Sequence, residues 1–119
     1  MRGPFRAPFG DQEEQTFKLG YEQLAELESL RDAGAVRLLR RLLSDDCKSD
    51  DILETIRLGL IGGGMTDVEA LRTVRKFIKD DTQNRDEQRQ VAAGIISATI
   101  FPDEGGEQPE KSQAAKATN

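Results

Sequence analysis

Ile52-Leu53-Glu54-Thr55-Ile56-Arg57-Leu58-Gly59-Leu60-Ile61-Gly62-Gly63-Gly64-Met65-Thr66-Asp67-Val68-Glu69-Ala70-Leu71-Arg72-Thr73-Val74-Arg75-Lys76-Phe77-Ile78 decides how the rest of the chain is read. In its first half Ile52, Leu53, Ile56 and Leu60 recur at helical spacing and fall within one arc of about 100°, which is a buried helix face. Ser49 stands where an N-cap belongs, and Asp50 and Asp51 place acidic side chains at the positive end of the helix dipole. Gly62 is expected to take the left-handed conformation that closes the helix, since it has no Cβ to clash. Thr66 and Glu69 then have the spacing of a capping box, which opens a second helix. Ala70, Leu71, Val74, Phe77 and Ile78 form its apolar stripe, with Arg72, Arg75, Lys76 and Lys79 opposite. Two helices reversing at a triple-glycine hinge, Gly62, Gly63 and Gly64, should fold back on each other.

Upstream, Phe5, Phe9 and the alternating Phe17, Leu19 and Tyr21 flank a Gly10-Asp11 turn, a pattern that predicts a β-hairpin over about residues 3–19. Pro4 and Pro8 confine its first arm to an edge, and such an edge is a docking surface for another strand or a cover for the core. A helix follows from about Tyr21 to Asp32, with Leu24, Leu27 and Leu30 inward and Gly34 as its stop. A second, about Ala35 to Leu43, gathers Val36, Leu38, Leu39, Leu42 and Leu43 on one side and Arg37, Arg40 and Arg41 on the other. Beyond the central pair, Asn84 and Glu87 repeat the capping-box spacing and start a last helix, about Arg85 to Ile100. Its apolar residues cover a wide arc, with Ile96 and Ile100 well round from Val91, Ile95 and Ala98. Such a helix is central in its domain or has a second face for a partner. Gly94 inside it points to close packing against another backbone. From Pro102 onward no large apolar residue remains, so residues 102–119 are expected to be a disordered tail. The fold class is therefore mainly α: a small bundle of about five short helices preceded by an N-terminal β-hairpin, in a single domain over residues 1–101.

Composition limits the function. The 119 residues suffice for one modest core, and with 36% apolar residues and no tryptophan that core is aliphatic. A net charge of −5 opposes general attraction to nucleic acid or anionic membrane. No apolar run is long enough to span a bilayer and no signal peptide opens the chain, so a cytoplasmic location in a bacterial host cell is expected. Cys47 is the only cysteine, in a polar connector where Asp45 and Asp46 should raise its pKa. Histidine is absent, which excludes Ser-His and Cys-His chemistry and removes the commonest metal ligand. The acid pairs Asp45-Asp46, Asp50-Asp51 and Asp80-Asp81 read as helix caps and solvated charge. Asp80-Asp81-Thr82-Gln83-Asn84 lacks the glycine and glutamate of a calcium loop. The triple glycine lacks the lysine and the preceding strand of a P-loop. No catalytic residue, cofactor site or metal site is therefore expected. Leu58 points away from Ile52 and Ile56 on its helix. With Ile61 and Met65, and with Ile96 and Ile100 on the last helix, it is a candidate for an apolar partner-binding surface.

The run Glu54-Thr55-Ile56-Arg57-Leu58-Gly59-Leu60-Ile61-Gly62-Gly63-Gly64 with Glu69-Ala70-Leu71 resembles the signature of the gene transfer agent family of phage-like tail proteins, classed among tail assembly chaperones. Phe17-Lys18-Leu19-Gly20 with Leu24, Glu26, Leu27 and Glu28 is similar to that family's entry into its first helix. The resemblance covers most of residues 5–100. It implies a non-enzymatic role in tail morphogenesis, in which the protein holds the tape measure protein and helps tail-tube subunits collect around it, with self-association also open. Two other readings stand beside it. One is a structural tail component, tube or connector, retained in the particle. The other is a small DNA-binding regulator using Arg37, Arg40 and Arg41, or Arg72, Arg75, Lys76 and Lys79.

Overall fold

The computed structural model describes residues 4–80 and 84–101. In chain order these form β1 (Phe5–Phe9), β2 (Gln12–Phe17), α1 (Tyr21–Arg31), α2 (Ala35–Leu42), α3 (Ser49–Gly62), α4 (Asp67–Val74), a π-helical turn (Arg75–Lys79) and α5 (Arg85–Ile100). The expected hairpin and five helices are present. Helices α3 and α5 form the centre: α3 packs on α1, α2, α4, α5 and β2, and α5 packs on α2, α3 and β1.

The hairpin turns where the sequence places Gly10, whose φ of +62° is open to a residue without a Cβ. Phe9 pairs with Gln12 across the turn, and the register slips between Ala7 and Phe9, at the Pro8 that has no N–H to donate. Three phenylalanines glue the hairpin to the helices: Phe9 meets Phe17 edge-on at 5.8 Å and Phe77 at 6.1 Å. Strand β2 stops at Phe17. Leu19 beyond it is buried, whereas Tyr21, expected to extend the alternation, opens α1 and is fully on the surface.

Past Phe17 the strand backbone crosses the C-terminal end of α3, and this crossing explains the glycines. The Lys18 N–H donates to the Gly59 carbonyl at 2.9 Å. A Cβ on Gly62 would collide with the Lys18 carbonyl, and one on Gly63 with the Thr16 carbonyl. Gly62 is not the left-handed residue it was expected to be. It is the last helical residue, and the positive φ, +124°, falls at Gly64. Gly64 N–H reaches Ile61 C=O and Met65 N–H reaches Leu60 C=O, both at 3.0 Å, the paired bonds of a Schellman stop. Likewise α1 is closed by Asp32, at φ +52°, and not by Gly34. Gly34 precedes α2 in an extended conformation, and the Glu28 carboxylate accepts the Ala35 N–H at 2.9 Å. Gly94 makes room for the Phe5 ring, where a neighbouring backbone was expected.

Helix α3 begins at Ser49, one residue earlier than an N-cap role for that serine allows; its hydroxyl instead accepts from Arg85 at 2.9 Å, tying α3 to α5. Asp51, read in the sequence as solvated charge, is wholly buried. Its carboxylate accepts from Arg31 Nε at 2.8 Å, Arg41 Nη1 at 3.3 Å and the Lys48 N–H at 2.9 Å, and so joins α1, α2 and the start of α3. Burial pushes this carboxyl up. The Lys48 and Arg31 hydrogen bonds, with the charges of Arg31 and Arg41, outweigh that and hold it below the usual aspartate range.

The capping box forms as read, with Glu69 N–H on Thr66 Oγ1 at 3.1 Å and Thr66 N–H on Glu69 Oε1 at 3.0 Å. The helix it opens does not run on as α. After Val74 it widens into the π turn, with Asp80 N–H bonded to Arg75 C=O at 3.1 Å, and the buried Gln88 donates to the Phe77 carbonyl at 3.0 Å.

Replacing Asp51 by Asn should lower stability by about 3 kcal/mol in urea unfolding, because two arginines lose their carboxylate. Since Asp51 titrates lower in the folded chain than in the unfolded one, its contribution is complete above the unfolded value of about 3.9 and is lost as pH falls through the folded value. The variant should therefore show a shallower acid loss than the parent. In thermal unfolding Gly62→Ala should cost about 2–3 kcal/mol and more than Gly59→Ala, whose added methyl first meets a movable side-chain atom, Ile95 Cδ1 at 3.2 Å.

Candidate partner-binding surface

Among the described residues no three of His, Cys, Asp and Glu converge as a metal site. Asp81, Thr82 and Gln83 of the oxygen-rich connector lie outside the described residues, as do residues 1–3 and the tail 102–119. At the triple glycine, the N–H groups of Gly63 and Gly64 are spent on Gly59 and Ile61 carbonyls, so they do not cradle an anion. Cys47 is half-buried with Sγ 3.6 Å from the Lys48 carbonyl. Its thiol is pushed up by burial and then by Asp51, against the pull of Arg85 and Arg89. The direction is as expected, but the responsible charge is Asp51, where the sequence suggested Asp45 and Asp46. The thiolate, the reactive form, is correspondingly scarce at neutral pH. No helix among the described residues is long and apolar enough to cross a membrane.

The structure rearranges the residues expected at a partner-binding surface. Leu58 and Ile96 are core residues, 1% and 0% exposed. Leu58 was placed opposite the buried face of its helix. Because α3 is covered by α1, α4, α5 and β2, its opposite side is buried as well. Ile96 follows from the position of α5: the wide apolar arc marks a central helix, not a free second face. Neither side chain forms part of an open patch. Ile61 and Met65 at the glycine corner and Ile100 at the end of α5 are half-buried against the core edge. They keep some accessible surface, and Met65 Sδ accepts from the Thr73 hydroxyl at 3.7 Å.

The large apolar side chains that do face solvent are others: Tyr21, Leu30, Val36, Leu43, Val68, Leu71 and Phe101. Helical periodicity places Leu30, Val36, Leu43 and Leu71 inward, and the structure turns them out. In α2 only Leu38 and Leu42 are fully buried, with Ala35 and Leu39 half-buried against the core, because the helix lies on the outside of the α3–α5 centre. Helix α4 repeats this with Ala70 and Val74.

Grooves lie on both sides of the hairpin. One, of about 280 Å³, is lined by Pro8, Phe9, Gly10, Phe77, Asn84, Glu87, Gln88 and Val91. The other, of about 350 Å³, runs past Gln12, Gln15, Met65, Arg72, Lys76 and Phe77. With aromatic walls and polar rims, they suit a polypeptide segment better than a small polar metabolite.

A family model described as phage tail tube protein, GTA-gp10, matches residues 2–101, which takes in the hairpin and all five helices. No curated protein and no solved structure matches the chain. With most of its length inside that match, the chain belongs to the phage tail tube protein GTA-gp10 family.

Proposed function

We propose that this chain is a non-enzymatic assembly factor for a phage-like tail, acting in the cytoplasm of a bacterial host. It would hold the tape measure protein and bring tail-tube subunits to it in a gene transfer agent or prophage. Membership of a tail family supports the setting. The observation that favours a transient helper is the distribution of exposed apolar side chains, which sit in small groups on α1, α2, α4 and the end of α5. A permanently assembled subunit instead contributes a broad apolar face to an interface of about 2,000 Å² or more in total. Ile61, Met65 and Ile100 remain available as minor contacts beside those groups. A second reading, a component retained in the particle as tube or connector, is favoured by the family's own description as a tail tube protein. In that case the hairpin would be its assembly edge.

Co-expression with the tape measure protein of the same gene cluster should keep that protein in the soluble fraction and recover the two together. Purified particles should contain this chain at far below one copy per tube ring. Many copies per particle would establish the retained role instead.

A further inference from the structure

Helices α2 and α4 are each eight residues long and share a register of buried and exposed positions at several points. Val36 and Val68 are the second residues of their helices, Leu39 and Leu71 the fifth, and Arg40 and Arg72 the sixth. In both helices the fourth and eighth residues, Leu38 and Leu42 or Ala70 and Val74, are buried. Val68 and Leu71 thus face outward on α4, and Val36 and Leu43 on α2, where Leu39 is half-buried against the core. Val36 is 52% exposed and Val68 63%; Leu43 extends the first stripe at 65%, and Arg75 takes the matching position in the second. These positions span about 10 Å of helix, two turns.

The arginines of the helices and the π turn divide along the same line, Arg6 of β1 standing outside the division. Arg31, Arg41 and Arg57 are tied to carboxylates, Arg89 to Asp86 and the Leu42 carbonyl, and Arg85 to the Ser49 hydroxyl. Arg37, Arg40, Arg72 and Arg75 pair with no described carboxylate, and all four flank the two stripes. An aliphatic ridge on a helix fits the groove of another helix, and unpaired guanidinium groups beside it match carboxylates.

We propose that the outer faces of α2 and α4 are two docking sites, each for an amphipathic helix of another polypeptide whose aliphatic stripe is bordered by Glu or Asp. A second copy of this chain does not fit the description. Its acidic helix, α1, turns Glu22, Ala25, Glu26 and Ser29 outward, and its exposed large apolar residues, Tyr21 and Leu30, stand at opposite ends without forming a continuous aliphatic stripe. Phosphate surfaces fit less well, because valine and leucine interrupt the arginines and the chain carries a net charge of −5. The assignment holds whether the protein is a transient helper or a retained subunit.

The test uses the full chain and a fluorescein-labelled, stapled helical peptide of roughly 20 residues. Its Leu residues occupy positions i, i+3 and i+7 and Glu flanks them; a twin peptide replaces every Glu by Lys. Fluorescence anisotropy and a stoichiometric titration should show two Glu peptides per chain. One should remain after Val36→Asp with Leu43→Asp, one after Val68→Asp with Leu71→Asp, and none when all four are changed. The Lys peptide should bind the unaltered chain at least tenfold more weakly, about 1.4 kcal/mol. Circular dichroism confirms that the variants, all at exposed positions, stay folded. Equal binding of the two peptides overturns the proposal without reference to any variant. So does Glu-peptide binding that survives in the folded fourfold variant, the absence of binding up to about 1 mM, or preferential binding of duplex DNA.

Discussion

One backbone-to-backbone contact organises this protein: the chain leaving β2 lies directly on the last turn of α3. A strand and a helix approach this closely only if no Cβ stands between them, and Gly62 and Gly63 remove the two that would block Lys18 and Thr16. The Lys18 N–H then finds the Gly59 carbonyl, so a polar group at the end of a strand is paired as it becomes buried. With the crossing fixed, Phe17 and Leu19 are carried into the core beside Ile56 and Leu60. At the other end of the hairpin, Phe5 seats its ring over Gly94 of α5. A two-stranded sheet, marginal alone, thereby gains support from both central helices.

The opposite end of α3 is held by charge. Asp51 gathers Arg31 and Arg41 at the helix start, so that α1, α2 and α3 meet on one carboxylate. Removing such an acid from water is costly, and it is tolerated because the arginines and the Lys48 N–H occupy its oxygens. The same arrangement settles the use of the basic residues. Arginines on the inner sides of their helices complete the fold, and Arg37, Arg40, Arg72 and Arg75 on α2, α4 and the π turn are exposed to solvent.

Much of this architecture is legible in the sequence because it rests on local rules. The Gly10 turn, the Thr66–Glu69 box and the spacing of Ile52, Ile56 and Leu60 each act within one element. The errors arise where burial depends on how many neighbours surround an element. Periodicity assigns one buried face to α3, yet five elements enclose it, and Leu58 is buried on the side expected to be free. In α2 and α4 the reverse holds: the covered stripe is narrower than the apolar content suggests, and Val36, Leu43 and Leu71 face outward. Asp51 looks like any acid at a helix start, because its partners lie 10 and 20 residues upstream. Nothing in the local sequence marks the π turn. The glycine run marks a corner in the sequence, but its main task, admitting a strand backbone from residues 16–18, is a long-range contact that spacing does not reveal.

The most direct measurement is native-state hydrogen exchange at the Lys18 amide, read beside the amides of Ile56 and Leu60 in α3. If the crossing organises the fold, Lys18 exchanges only through global opening and its protection matches that of the helix. Exchange of Lys18 at the rate of a fraying terminus, while Ile56 and Leu60 stay protected, would show the hairpin to be a detachable cover and would contradict the account.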